Sequence, residues 1–382
     1  MSQFFDVCVR GDGVVGRTLA LLLAKERLKV ALVMPQQTVR SPDIRAYALN
    51  STSKQLLESL RVWPNASFAT PVQSIQVWGD DGGRLEFNST SSGQAALTWI
   101  IDVPQLEAEL VQACSYQSLI ENLTENLTES AAEPELLAPA ALTVICEGQK
   151  SSARQTTGSL WTRKPYAQQA IAARLMSSLP HKGQARQWFT GGNTCGEVLA
   201  LLPMGGSQGN SLALVWSVSD DRAALLKQLP PEEFCTALSA ACNSNAGHLQ
   251  LTSERASWPL ALSSADRWVG PGWALAGDAA HTVHPLAGQG LNLGLADAAC
   301  LSQVLASREY WRGLGDEKLL RRYERARKAE VAAVSLVTDG LHSLFAQGGP
   351  AWQSARNWGM RGVSNSQQLK NWLTQRAAGS AL

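Results

Sequence analysis

Apolar positions in the first part of the chain switch between two periods. Residues 6–9 form a short apolar run, 18–25 repeat apolar side chains at helical spacing, and 29–34 form a second run of strand length. Strand, helix and strand in that order predict a βαβ unit. Strict alternation over 72–78 and again over 84–87, separated by Gly79-Asp80-Asp81-Gly82-Gly83, then predicts a hairpin that opens a second sheet. Helical spacing returns over 101–114, with Val103, Leu106, Leu110 and Val111 on one face. Segments 167–175, 187–189, 198–202 and 212–218 read as strands of the second sheet, and 142–146 and 273–276 as buried strands. Further helices are expected over 51–60, 221–229, 231–242, 291–305 and 317–344, the first capped by Asn50 or Ser51.

No linker-like boundary interrupts this succession, so two α/β lobes must interleave along the chain. With 382 residues there is enough chain for both and a large core. A net charge of +1 supplies no basic field and excludes nucleic acid as a partner. Seven scattered cysteines without a CxxC pair point to reduced thiols of a cytoplasmic protein rather than a disulfide frame or zinc site. The longest apolar run near the N-terminus, 19–24, is far below the roughly 20 residues that span a bilayer, which predicts a soluble or peripheral protein. Residues 121–141 are acidic and poor in aromatics, a surface strand or loop.

Two glycine-rich stretches carry chemistry. Gly11-Asp12-Gly13-Val14-Val15-Gly16 follows the first strand and opens the first helix, the GxGxxG arrangement that brings a pyrophosphate onto a helix N-terminus. An acidic residue to hold the ribose is expected about 20 residues on, but Met34 occupies that place. Asp12 puts a carboxylate inside the phosphate loop, which calls for a partner among Arg10, Arg17 and Arg40. Arg45 offers a two-pronged donor to phosphate. The second stretch is Gly277-Asp278-Ala279-Ala280-His281, then His284-Pro285-Leu286-Ala287-Gly288-Gln289-Gly290-Leu291-Asn292-Leu293-Gly294. Its glycines clear space for a flat ring or phosphate, and Asp278 is placed to accept from a polyol. His281 and His284 do not form a metal pair, because Pro285 breaks the spacing and no third ligand cluster exists. The absence of GxSxG disfavours a serine hydrolase of that type.

The second stretch, ending in Gly-Leu-x-Asp at Asp297, resembles the motif of FAD-dependent aromatic hydroxylases of the p-hydroxybenzoate hydroxylase type, and most closely the ubiquinone-biosynthesis hydroxylase family. Tyr166-x-Gln168, Ala200-Leu-Leu-Pro203 and the arginine-rich segment 321–327 are similar to that family as well, so the resemblance covers nearly the whole chain. It implies a Rossmann-like FAD-binding domain (1–71, 97–175 and 265–320) interleaved with a β-sheet substrate domain (72–96 and 176–264), followed by C-terminal helices (321–382). Gly11, Gly13, Gly16 and Arg45 would hold the pyrophosphate and Asp278 the ribityl chain. Ala287, Gly288, Gln289, Gly290, Leu291 and Asn292 would cradle the isoalloxazine, with Pro285 and His284 at the reacting face. NAD(P)H would be the reductant, O₂ the co-substrate and a lipophilic polyprenylated phenol the substrate. Peripheral membrane contact and a biosynthetic complex or homo-oligomer follow as implied partners. Another aromatic substrate, or a flavin-poor scaffold role, is the alternative. Met34, Asp12 and Ile145-Cys146-Glu147-Gly148 depart from the family pattern. A lost charged hydrogen bond to ribose removes about 1.5–3 kcal/mol, which weakens FAD binding without abolishing it.

Overall fold

A computed structural model of the chain describes residues 4–34, 43–79, 83–90, 93–124, 139–190, 196–283 and 288–346, with backbone alone for 337–339 and 341–346. The strand Phe5–Arg10 is the centre of a six-stranded sheet. On one side it pairs in parallel with Val30–Met34, and beyond that with Ile120–Thr124; on the other it pairs in parallel with Ala140–Ile145, then Trp273–Leu275. Almost every side chain of the central strands is buried, as a parallel sheet covered on both faces requires. The order of connection reverses beside Phe5–Arg10, which makes a crevice at the carboxyl ends of this strand and Ala140–Ile145. Both glycine-rich stretches arrive there: Gly11 N–H donates to Val33 O at 2.9 Å, Cys146 N–H to Arg10 O at 2.7 Å, and Ala276 N–H to Ile145 O at 3.0 Å.

A nine-stranded sheet forms the second layer, built mainly around the 17-residue strand Trp161–Ser177 and the strands Gln184–Thr190, Glu197–Pro203 and Ser211–Ser219. The expected hairpin, Ser74–Trp78 with Arg84–Asn88, closes one edge. One face of this sheet is a core of Ile171, Leu199, Leu214 and Trp216 under the helices Asp220–Gln228 and Pro231–Ala241. The opposite face, with Ala185 and Ala213, packs on a three-stranded sheet of Ala46–Leu49, Thr98–Asp102 and Ala69–Val72.

Three readings change in the structure. Residues 98–102 are a strand, and the helix starts only at Val103, because Ile100 and Ile101 face opposite sides of a short sheet and are both fully buried. Val111 is 46% exposed and leaves the apolar face assigned to it. The long strand begins at Trp161 rather than 167; a register shift between Pro165 and Gln169, with Ala167 at φ +54°, breaks the alternation that would reveal it.

Candidate functional site

The three glycines of the first loop have different tasks. A Cβ on Gly11, which sits at φ +112°, would lie 2.5 Å from Cys146 O, and one on Gly16 would lie 2.0 Å from Gly11 O. Both are demanded by packing. Gly13 is different, since a Cβ there meets no protein atom within 4 Å. It precedes the helix Val14–Lys25, whose first turn receives no side-chain cap.

The second stretch repeats this arrangement. The helix Gln289–Ala306 starts after Gly288 at φ +60°, again without a side-chain cap, and Gly290 opens onto space free of protein atoms within 4 Å. Gly294 binds the two helices together, its missing Cβ being 2.7 Å from Val15 and 3.4 Å from Gly277 Cα. Between the helix starts lies the 3₁₀ turn Gly277–Ala279, with Asp278 open to solvent yet walled by surrounding protein. That protein mass raises the Asp278 pKa; His281, a hydrogen bond from Gln149 and Arg45 oppose the rise. Arg45 holds Asp43 through Nη2 at 2.5 Å and approaches the Tyr47 hydroxyl at 3.3 Å. Burial raises the Tyr47 pKa, Arg45 counters it, and the charge of Asp278 adds to it, so Arg45, Tyr47 and Asp278 share one recess.

Two helix starts without a side-chain cap, each with a glycine facing open space, fit a ligand carrying both phosphate and a flat ring. Residues 5–337 match the family model described as FAD binding domain. The chain belongs to that family. A ubiquinone hydroxylase of Rhodospirillum rubrum is 27% identical over 394 residues, covering 98% of this chain and 90% of the relative. The 3-demethoxyubiquinol 3-hydroxylase of Escherichia coli is 27% identical over 396 residues, covering 99% of each. A p-nitrophenol 4-monooxygenase of Pseudomonas putida shares the fold over 100% of both chains, with a TM-score of 0.77 at 15% identity. The enzyme class is FAD-dependent monooxygenase, with NAD(P)H as co-substrate.

Of the expected flavin contacts, Gly11, Gly13, Gly16, Arg45, Asp278, Gly288, Gln289, Gly290, Leu291 and Asn292 are described; His284, Pro285 and Ala287 lie outside the described residues. Asn292 is buried with its amide engaged by the chain itself. Its Oδ1 accepts from Asn50 N–H at 3.0 Å and Ser53 Oγ at 2.8 Å, and its Nδ2 donates to Ala48 O at 2.9 Å. Asn292 thus fixes the helix start against Ala46–Leu49.

The departures at the first loop are tied together by Arg17. Its Nε donates to Asp12 O at 2.7 Å, while Nη2 lies 3.5 Å from the Asp12 carboxylate and 3.7 Å from Met34 Sδ. The carboxylate missing from position 34 therefore has a near neighbour at position 12. Glu147 accepts from Arg10 Nε at 2.8 Å, Ser151 Oγ at 2.7 Å and Ala153 N–H at 3.2 Å, which makes it an anchor for the turn. Arg154 is buried; it donates to Ala279 O at 3.1 Å and Gln149 O at 2.8 Å.

Sequence reasoning missed the clamp beneath Asp278. Asp297 is fully buried and accepts from Gly277 N–H at 2.9 Å, His281 Nε2 at 2.7 Å and Arg327 Nε at 2.7 Å. Arg327 also pairs with Glu330 and donates to Leu293 O at 3.2 Å. Burial alone would raise the Asp297 pKa, but His281 and Arg327 hold it below the usual carboxylate value. On the same helix, Glu317–Ala346, Tyr323 donates to Leu275 O at 2.8 Å.

Proposed function

We propose that the protein hydroxylates the aromatic ring of a polyprenylated phenol on the route to ubiquinone, using FAD, NAD(P)H and O₂. The observation that carries the FAD half is the pair of uncapped helix starts around Asp278, with Gly13 and Gly290 facing open space. Support for the substrate comes from the Rhodospirillum ubiquinone hydroxylase and the Escherichia 3-demethoxyubiquinol 3-hydroxylase, which align over nearly the whole chain. Bound FAD would supply two-electron transfer from NAD(P)H and the activation of O₂ for insertion into a ring. The chain's own part is to bind and orient. Helix amides at Gly13–Val14 and Gly288–Gln289 would take phosphate and ring oxygen, and Asp278 would accept from the ribityl hydroxyls. His284 and Pro285 are the proposed catalytic positions, carried by the sequence motif. A lipid-tailed substrate also favours work at a membrane face, inside a biosynthetic complex or as a homo-oligomer. No helix among the described residues is long and apolar enough to cross a membrane.

The direct test is absorbance and turnover. Purified protein should take up FAD, show a flavin spectrum and, with NAD(P)H and O₂, add one oxygen atom to a short-tailed prenylphenol. Protein that stays colourless after FAD addition would remove the enzyme reading in favour of a scaffold. Asp278→Asn separates binding from folding. FAD affinity should fall about 10- to 100-fold, as expected for losing a charged hydrogen bond. The apoprotein should meanwhile melt higher near neutral pH, because the fold disfavours the ionised carboxylate. A raised folded pKa means that this penalty is relieved as pH falls through it, so the gain should vanish below the ordinary carboxylate value of 3.8. Unchanged FAD affinity in Asp278→Asn would show that the ribityl chain lies elsewhere.

A further inference from the structure

Arg174 lies towards the end of the strand Trp161–Ser177, flanked by core. Ala173 and Leu175 on either side of it pack under the two helices, so alternation sends Arg174 to the opposite face of the nine-stranded sheet, beside its cross-strand partner Ala213. Its backbone is firmly mounted: Arg174 N–H donates to Ser253 Oγ at 2.8 Å, and Arg174 O accepts from Thr252 N–H at 2.9 Å. From this mount the guanidinium crosses to the three-stranded sheet. Its Nη2 donates to Arg45 O at 2.8 Å and to Asp102 Oδ1 at 3.3 Å, while Nη1 meets Met204 Sδ at 3.1 Å. Asp102 stands in the N-cap place of the helix Val103–Ser115, yet its side chain makes no cap hydrogen bond and turns to Arg174 instead. Only 17% of the Arg174 side chain is exposed; burial lowers its pKa, and the charges of Asp102 and Asp43 oppose that.

Arg45 is thereby held at both ends. Its carbonyl accepts from Arg174 and, at 3.4 Å, from Val103 N–H. At the other end, Nε donates to both oxygens of Asp43 at 2.9 Å and Nη2 to Asp43 Oδ2 at 2.5 Å. The edge left for a phosphate is that of Nη1 and Nη2, with Nη1 beside the Tyr47 hydroxyl at 3.3 Å, in the recess of Asp278. A guanidinium set in place beforehand loses less rotamer freedom when its two parallel donors engage an anion.

We propose that Arg174 is a positioning residue for the cofactor: reaching from the nine-stranded sheet, it fixes the backbone of Arg45 so that the guanidinium meets the FAD pyrophosphate already oriented. The assignment rests on the FAD reading above, with Arg45 at the pyrophosphate. Its effect passes through Arg45.

A double-mutant cycle tests this, with FAD dissociation constants taken by flavin fluorescence on apoprotein carrying Arg174→Met, Arg45→Met, both or neither. Arg174→Met should weaken FAD binding about tenfold in the otherwise unsubstituted protein, and less than about threefold once Arg45→Met is present. A residue that merely supports the fold would weaken binding by the same factor in both backgrounds. Should Arg174→Met fail to fold, Arg174→Met combined with Asp102→Asn, which leaves no charge at position 102, takes its place in the cycle. Equal loss in both backgrounds, no loss in either, or an Arg45→Met variant that binds FAD normally overturns the assignment and leaves the FAD reading standing. Unsubstituted protein that takes up no FAD overturns that reading, and the positioning role with it.

Discussion

Replacing Arg327 by methionine is expected to cost about 3–5 kcal/mol of folding stability, because it leaves Asp297 charged, buried and without its guanidinium. For a chain of this length that corresponds to a fall in Tm of about 4–6 °C. The loss should depend on pH in a defined direction. Asp297 titrates below the usual carboxylate value in the folded protein, so it contributes stability that is present above 3.8 and is lost as pH falls through its folded pKa. Without Arg327 the folded pKa must rise, and acid unfolding should begin at a higher pH. Adding Asp297→Asn to Arg327→Met should restore part of the loss, since the amide oxygen still accepts from Gly277 N–H and no buried charge remains. Thermal melts of the two variants across pH check this. A single variant within about 2 °C of the starting protein would mean that the clamp is ornamental. FAD affinity should fall in parallel, because Asp297 holds the backbone turn that presents Asp278.

The clamp also shows what the sequence conceals. The glycine spacing at 11–16 and 277–294 is local, and the chemistry of a glycine facing a ligand is readable wherever strand and helix patterns flank it. Hairpin 74–88 and the Asn50 cap, whose Oδ1 accepts from Ser53 N–H at 2.8 Å, were equally local and equally legible. Asp297 and Arg327 are different, being 30 residues apart on two helices. Each was visible within a motif, and nothing in their spacing says that one neutralises the other. Register hides more than distance does. Val215 and Trp216 lie within a continuous apolar strand, and only the packing of Trp216 in the core under the two helices reveals which face each occupies. The fold likewise gave Asp12 its meaning, for the sequence offered three possible arginines and, among the described residues, Arg17 reaches both Asp12 and Met34.

Gly13→Ala and Gly16→Ala should fail in opposite ways, although the same motif contains both. Gly16→Ala forces a methyl to within 2.0 Å of Gly11 O, a backbone atom that cannot step aside without moving the whole loop. Overpacking of this kind costs about 1–3 kcal/mol and more where backbone must shift, so the apoprotein itself should melt several degrees lower. At Gly13 the backbone lies at φ −75° and ψ −178°, which alanine adopts without strain, and the added methyl meets no protein atom within 4 Å. The Gly13→Ala apoprotein should therefore melt within about 1 °C of the starting protein. Its FAD affinity should nonetheless drop about 10- to 100-fold, because the methyl occupies the space in which the pyrophosphate meets the uncapped amides of Val14–Lys25. Calorimetry on apoprotein and flavin titration on the same samples separate the two effects. If Gly13→Ala binds FAD normally while Gly16→Ala is destabilised, the loop is a packing device and the cofactor's phosphates lie elsewhere. If both bind normally and melt normally, the close approach of helix and strand at Gly11 and Gly16 carries none of the weight assigned to it.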